Sequence, residues 1–134
     1  MKNLSEHAYI EVHRSCPDID TVKDILWAHS ASIELLHAFF RMLIMDCTCK
    51  INRYQLPLME MVGVTSTEMT FSVDFAYLEE EQDDNFSWYL DTLKALMHDQ
   101  LIPSVVVTDR DLTLMNAVKK IFPVSRHFLY RWHI

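Results

Sequence analysis

The chain has 134 residues, half of them hydrophobic, 11% aromatic and 23% charged, with a formal charge of −7. That balance excludes a disordered chain and suits one domain with a substantial core. It argues against this segment alone gripping a phosphate backbone, which calls for a basic surface.

Three cysteines fit a reducing compartment better than a disulfide framework. No apolar run approaches the length of a membrane span, so no membrane partner is expected. The opening stretch MKNLSEHAYIEVHRS lacks the apolar centre of a secretory signal.

Residues 1–16 show no clear period. From Asp18 the pattern reads as helical, with Ile19, Val22, Ile25 and Leu26, then Ile33, Leu36 and Phe40, at three-to-four spacing. A break near Ser30–Ser32 divides two predicted helices, with Ser30 or Ser32 as the cap. RMLIMDCTCK then reads as a buried strand, INRYQLP as a connection, and LMEMVGVTS and TFSVDFAYL as further strands. In the last of these, alternation predicts Phe71, Val73, Phe75 and Tyr77 on one face.

Acids massed in EEEQDD precede Phe86, Leu90, Leu93 and Met97, one stripe of an amphipathic helix. Asp83, Asp84 and Asn85 suit its cap and the positive end of its dipole. Pro103 opens a short strand, SVVVTD. DLTLMNAVKKIF is a second helix with Leu112, Met115 and Val118 on one side, stopped by Pro123. SRHFLYRWHI reads as a fifth strand.

The order is β-β-β-α-β-α-β behind a helical lead-in, which describes a mixed α/β sheet. The division expected is residues 1–37 as lead-in and 38–134 as core. The ribonuclease H-like fold is built this way, with its fourth strand parallel to and beside the first. Such neighbours bring Asp46, in the first strand, near Asp109, at the end of the fourth. Two hard oxygen donors at one place suit Mg²⁺ or Mn²⁺ and phosphoryl transfer with two metals.

The plainer reading is that Asp109 or Asp111 caps the helix that follows. Asp46 has less of an ordinary explanation, since an ionised carboxylate in a buried strand is costly unless paired or metal-bound. Cys47 and Cys49 point to one strand face while Asp46, Thr48 and Lys50 point to the other. With Cys16 the only other cysteine and no second ligand pair, they read as small buried hydrophobes rather than zinc ligands. Trp88, Tyr89 and Trp132 are candidates for stacking on bases, or for packing in the core.

The strings LWAHSASIELLHAFFRMLIMDCTCKINRYQLPLMEMVGVTST, TFSVDFAYLEEEQDDNFSWYLDTLKALM and VVVTDRDLTLMNAVKKIFP, ending in RWHI, resemble the Mutator-like element (MULE) transposase domain. That family includes cut-and-paste transposases and domesticated plant regulators of the far-red-impaired-response type. The resemblance implies a ribonuclease H-like core whose Asp-Asp-Glu triad binds two divalent metals. Asp46 in MDCTCK and Asp109 in VTDRD resemble its first two acids, as catalytic and metal-binding residues.

Three departures stand out. The family's Cys-x-x-His is here Tyr130-Arg131-Trp132-His133, Asp74 replaces an expected small or apolar residue, and the triad glutamate is expected beyond the fifth strand. Glu79, Glu80 and Glu81 precede the first core helix and do not substitute for it.

The expectation is therefore the front part of a transposase core that as given does not cleave DNA. The alternative is a decayed or domesticated non-catalytic domain in DNA-linked transcriptional regulation or protein interaction. A third reading, a ribonuclease H-like nuclease working alone, needs a third acid within these residues. The family implies DNA as partner of the full-length protein, with weak or no binding by this acidic segment. It also implies a nuclear location and possible self-association.

Overall fold

In a computed structural model, residues 9–17, 21–48, 56–98 and 100–129 are described. Among these residues, seven strands and three helices follow one another as β1 (Tyr9–Ser15), β2 (Val22–His29), α1 (Ser30–Ala38), β3 (Met42–Thr48), β4 (Leu58–Val64) and β5 (Thr70–Tyr77), then α2 (Asp83–Met97), β6 (Val105–Thr108), α3 (Leu112–Ile121) and β7 (Arg126–Leu129). All seven strands form one sheet in the order β1-β2-β5-β4-β3-β6-β7. The pairs from β1 through β3 are antiparallel, whereas β6 runs parallel to β3 and β7 parallel to β6. The mixed α/β sheet expected from the element order is present.

The core lies on one side of this sheet. Leu26, Ala76, Met59 and Cys47 form one transverse row of cross-strand partners, all buried, and Leu43 beside Val106 belongs to the same face. Against them pack Ile33 and Leu36 of α1, the stripe Phe86, Leu90, Leu93 and Met97 of α2, and Leu114, Ala117 and Val118 of α3. Burying such side chains contributes about 1.5–3 kcal/mol each, which makes this face the main source of stability. Ile25, Trp27, Ile44, Val62, Phe75, Tyr77 and Val107 occupy the other face and are only half-buried. Trp27 there stacks on Phe75, with ring centroids 5.9 Å apart.

The predicted helical lead-in is corrected. Residues 22–29 form β2, with Asp24, Leu26 and Ala28 inward at period two, and β1 pairs along its length. Val22, Ile25 and Leu26 fit either period over so short a run, and pairing with β1 and β5 decides between them. Ile19 lies outside the described residues. Among the described residues of this stretch only α1 is helical, and its cap is neither Ser30 nor Ser32: the His29 Nδ1 accepts the Ala31 N–H at 3.0 Å.

Two further expectations are revised. The register between β4 and β5 shifts so that Met61 faces Asp74 while Val62 faces Ser72. Val73 is the extra residue of a β-bulge, and a bulge reverses the alternation beyond it. Phe71 therefore sits across from inward-facing Gly63, whereas Phe75 and Tyr77 lie on the half-buried face. In α3 the inward side is Leu114, Ala117 and Val118, and Leu112 is exposed.

Candidate functional site

β3 has the apolar, β-rich composition of a central strand, and it is paired on both sides, by β4 and β6. Its alternation sends Leu43, Met45 and Cys47 into the core and leaves Ile44, Asp46 and Thr48 half-buried on the opposite face. Cys47 is thus a core side chain, whose Sγ–H reaches Glu81 Oε1 at 3.7 Å. Cys49, Trp132 and His133 lie outside the described residues.

β6 leads into the second aspartate. The parallel pair runs Met42↔Val105, Leu43↔Val106, Ile44↔Val107. Asp46 and Asp109 each come two residues after the last of these partners. Those last partners, Ile44 and Val107, are half-buried on the face away from the helices.

The capping role goes to another residue. Asp111 is the N-cap of α3, its Oδ1 accepting the Leu114 N–H at 3.1 Å. The backbone at Asp109 is held separately: the Thr108 Oγ–H donates to the Asp109 carbonyl at 2.9 Å, and Thr108 Oγ also meets His127 Nε2 at 2.7 Å. Burial and the nearby Lys119 push the His127 pKa below its ordinary value. A neutral ring suits a hydroxyl partner.

One acid at this level was not legible in the sequence. Glu60 is the cross-strand partner of Asp46, and its Oε2 accepts the Ser72 hydroxyl at 2.7 Å. The alternation of LMEMVGV puts Glu60 outward, but its partner depends on register, which no local pattern encodes. Among the described residues no group of three His, Cys, Asp or Glu side chains is assembled to hold a metal. As donors, Asp46 and Asp109 fit a hard divalent cation, which takes carboxylate and water oxygen; as a set they supply two carboxylates.

Two other carboxylates are buried on the helix side. Asp24 accepts from the Arg14 Nε–H at 2.5 Å, the Glu79 N–H at 2.9 Å and the Asn85 amide at 3.0 Å. Asp74 receives one hydrogen bond, from the Tyr89 hydroxyl at 2.5 Å.

The acidic run before α2 is not merely solvated. Asp84 pairs with Arg14 at 2.7 Å and Lys23 at 3.0 Å, and Asp83 pairs with Lys120 at 2.9 Å. Of the aromatic candidates for stacking on bases, Tyr89 is fully buried, and Trp88 lies beneath the Arg14 guanidinium, 5.6 Å from its ring centroid.

Comparison with known proteins bears on the same stretch. Residues 42–134 match the model of the MULE transposase domain. Protein FAR1-RELATED SEQUENCE 5 of Arabidopsis thaliana is 29% identical over 114 residues, covering 85% of this chain and 14% of the relative. Protein FAR-RED IMPAIRED RESPONSE 1 of the same plant is 27% identical over 113 residues, covering 84% of this chain and 14% of the relative. The chain thus spans about one seventh of the length of these curated relatives. The matched stretch holds both aspartates and every strand and helix from β3 to β7; on that match, the chain belongs to the MULE transposase domain family.

Proposed function

We propose that this chain supplies the first two acids, Asp46 and Asp109, of a transposase-type centre that cuts and joins DNA with divalent metals. The observation that supports the reading is the parallel β3–β6 register, which pairs Ile44 with Val107, two residues before each aspartate, while Asp111 takes the cap. The strand order β5-β4-β3-β6-β7, with β6 parallel to β3, supports a ribonuclease H-like core.

Asp46 and Asp109 would hold Mg²⁺ or Mn²⁺, which would polarise a phosphoryl oxygen and lower the pKa of a bound water. The chain's own part is to hold two anionic oxygens on a central strand and its parallel neighbour. The third acid of such a centre belongs outside the described residues. With two carboxylates, an ion is held largely by water, so the chain alone is expected to leave supercoiled plasmid intact.

The second reading is a transposase-derived domain without catalysis, serving DNA-linked regulation or protein contact in the nucleus. The relatives favour it, since the Arabidopsis proteins it matches are named for a far-red response rather than for transposition.

Calorimetric titration with Mn²⁺ separates the two. The catalytic reading expects a site weakened at least tenfold in both Asp46→Asn and Asp109→Asn. Binding indifferent to both substitutions contradicts it.

A further inference from the structure

Two aspartates are fully buried on the helix side of the sheet, and they are treated differently. Asp24 has a guanidinium and two N–H groups around it. Asp74 is 1% exposed and has one donor, the Tyr89 hydroxyl on Oδ1; its Oδ2 is sealed from solvent without a hydrogen-bond partner among the described residues. No cation approaches it within ion-pair distance among those residues. The bulge at Val73 puts Asp74 in this position.

A weakness in the sheet adjoins it. β2 and β5 pair only through Ile25–Trp27 and Tyr77–Phe75, although β2 continues to His29 and β5 begins at Thr70. Where they part, a cavity of about 180 Å³ opens, with Ala28, His29, Ser32, Ser72 and Asp74 in its lining. Tyr9, Trp27, Val73 and Phe75 complete a largely apolar lining, and the space is large enough for water to reach its few polar groups.

We propose that Asp74 is a proton-operated latch on the β2–β5 seam: protonated, it stays in the core against Tyr89, and ionised, it draws water through this cavity and loosens the seam. The chemistry is that of a buried carboxylate with too few donors. Its charge must be hydrated or neutralised, and the cavity that Asp74 lines offers a route to water.

Burial raises the Asp74 pKa to about 7; the Tyr89 hydrogen bond acts the other way, and the Glu60 charge adds to the rise. The other titratable groups facing this region are Tyr89 on α2, Cys47 on β3, His29 on β2 and Tyr9 on β1, the last two lining the cavity. α1 contributes Ser32 there, which has no charge. Since the folded pKa lies above that of the unfolded carboxyl, the closed form binds the extra proton. Closure is therefore strongest at acid pH and weakens as pH rises toward about 7.

The test is site-resolved amide exchange on the purified chain from pH 5.5 to 8.5, corrected for intrinsic exchange rates. In the unsubstituted chain the opening of Ala28 and of residues 73–75 is expected to increase by about tenfold or more across the range, one pKa unit being a factor of ten. Asp74→Asn keeps an acceptor for Tyr89 and is expected to abolish that dependence. Tyr89→Phe removes the one donor and is expected to move the midpoint to higher pH. A pH-independent seam, or an unchanged transition in Asp74→Asn, overturns the proposal. A midpoint unmoved in Tyr89→Phe overturns it equally, and that variant serves if Asp74→Asn does not fold.

Discussion

At the scale of single residues, the three aspartates around β6 and β3 divide the work. Asp111 satisfies the N-terminus of α3, whereas Asp109 and Asp46 each follow, by two residues, the paired Val107 and Ile44. Asp111→Ala is expected to cost about 1 kcal/mol, as loss of an N-cap does, and to lower the melting temperature. Asp109→Ala leaves that cap intact and is expected to lower the melting temperature by less than Asp111→Ala does. A larger loss from Asp109→Ala than from Asp111→Ala returns Asp109 to a structural role.

Gly63 is a second residue whose identity matters. A Cβ there would lie 2.4 Å from Phe71 Cζ, so the ring rests where any larger residue would project. Gly63→Ala is expected to destabilise the chain by about 1–3 kcal/mol, the usual cost of overpacking. Phe71→Leu in the same chain is expected to recover part of that loss in denaturant unfolding.

At the scale of elements, the helix stripe of α2 was legible because four apolar residues at i, i+4, i+7 and i+11 have one reading. β2 was not, because its apolar residues fit two periods and only β1 and β5 arbitrate. The break in β5 was hidden for a related reason: TFSVDFAYL alternates cleanly on paper, and the bulge is a property of its pairing with β4.

The hairpin of β1 and β2 is tied to the start of α2 through Arg14, which joins Asp24 and Asp84. Arg14→Ala leaves Asp24 buried without its cation and is expected to cost about 3–5 kcal/mol, as for a broken buried pair. Amide exchange in β1 and β2 is expected to rise before that of β3. The ion pairs of Asp84 add a pH signature. Arg14 and Lys23 hold its pKa at about 2, below the ordinary 3.8. Their contribution is complete above about pH 4 and lost as pH falls through about 2. Asp84→Asn is expected to flatten acid unfolding in that window, and an unchanged acid limb contradicts this.

At the scale of the whole molecule, the core half of the fold could be read from the sequence: strand meander, crossover helix, parallel return. Two hydrophobic periods and a few Pro and Asp boundaries carry that information. The placement of the site was half legible. Asp46 and Asp109 stood out as carboxylates at the ends of apolar strands, but Glu60 entered only through register, and Asp74 only through a bulge. The formal charge of −7 fits a segment that contributes acids to a site rather than one that holds DNA by itself.

The central claim is that Asp46 and Asp109 form one cation site. It is tested most directly by adding substoichiometric Mn²⁺ to the isotope-labelled chain and recording which amide signals the paramagnetic ion broadens. The account predicts that the signals of Asp46 and Asp109 broaden together and first, and that Asp46→Asn and Asp109→Asn each suppress the effect at both positions. Broadening centred elsewhere, or at one aspartate while the other stays sharp, would contradict it.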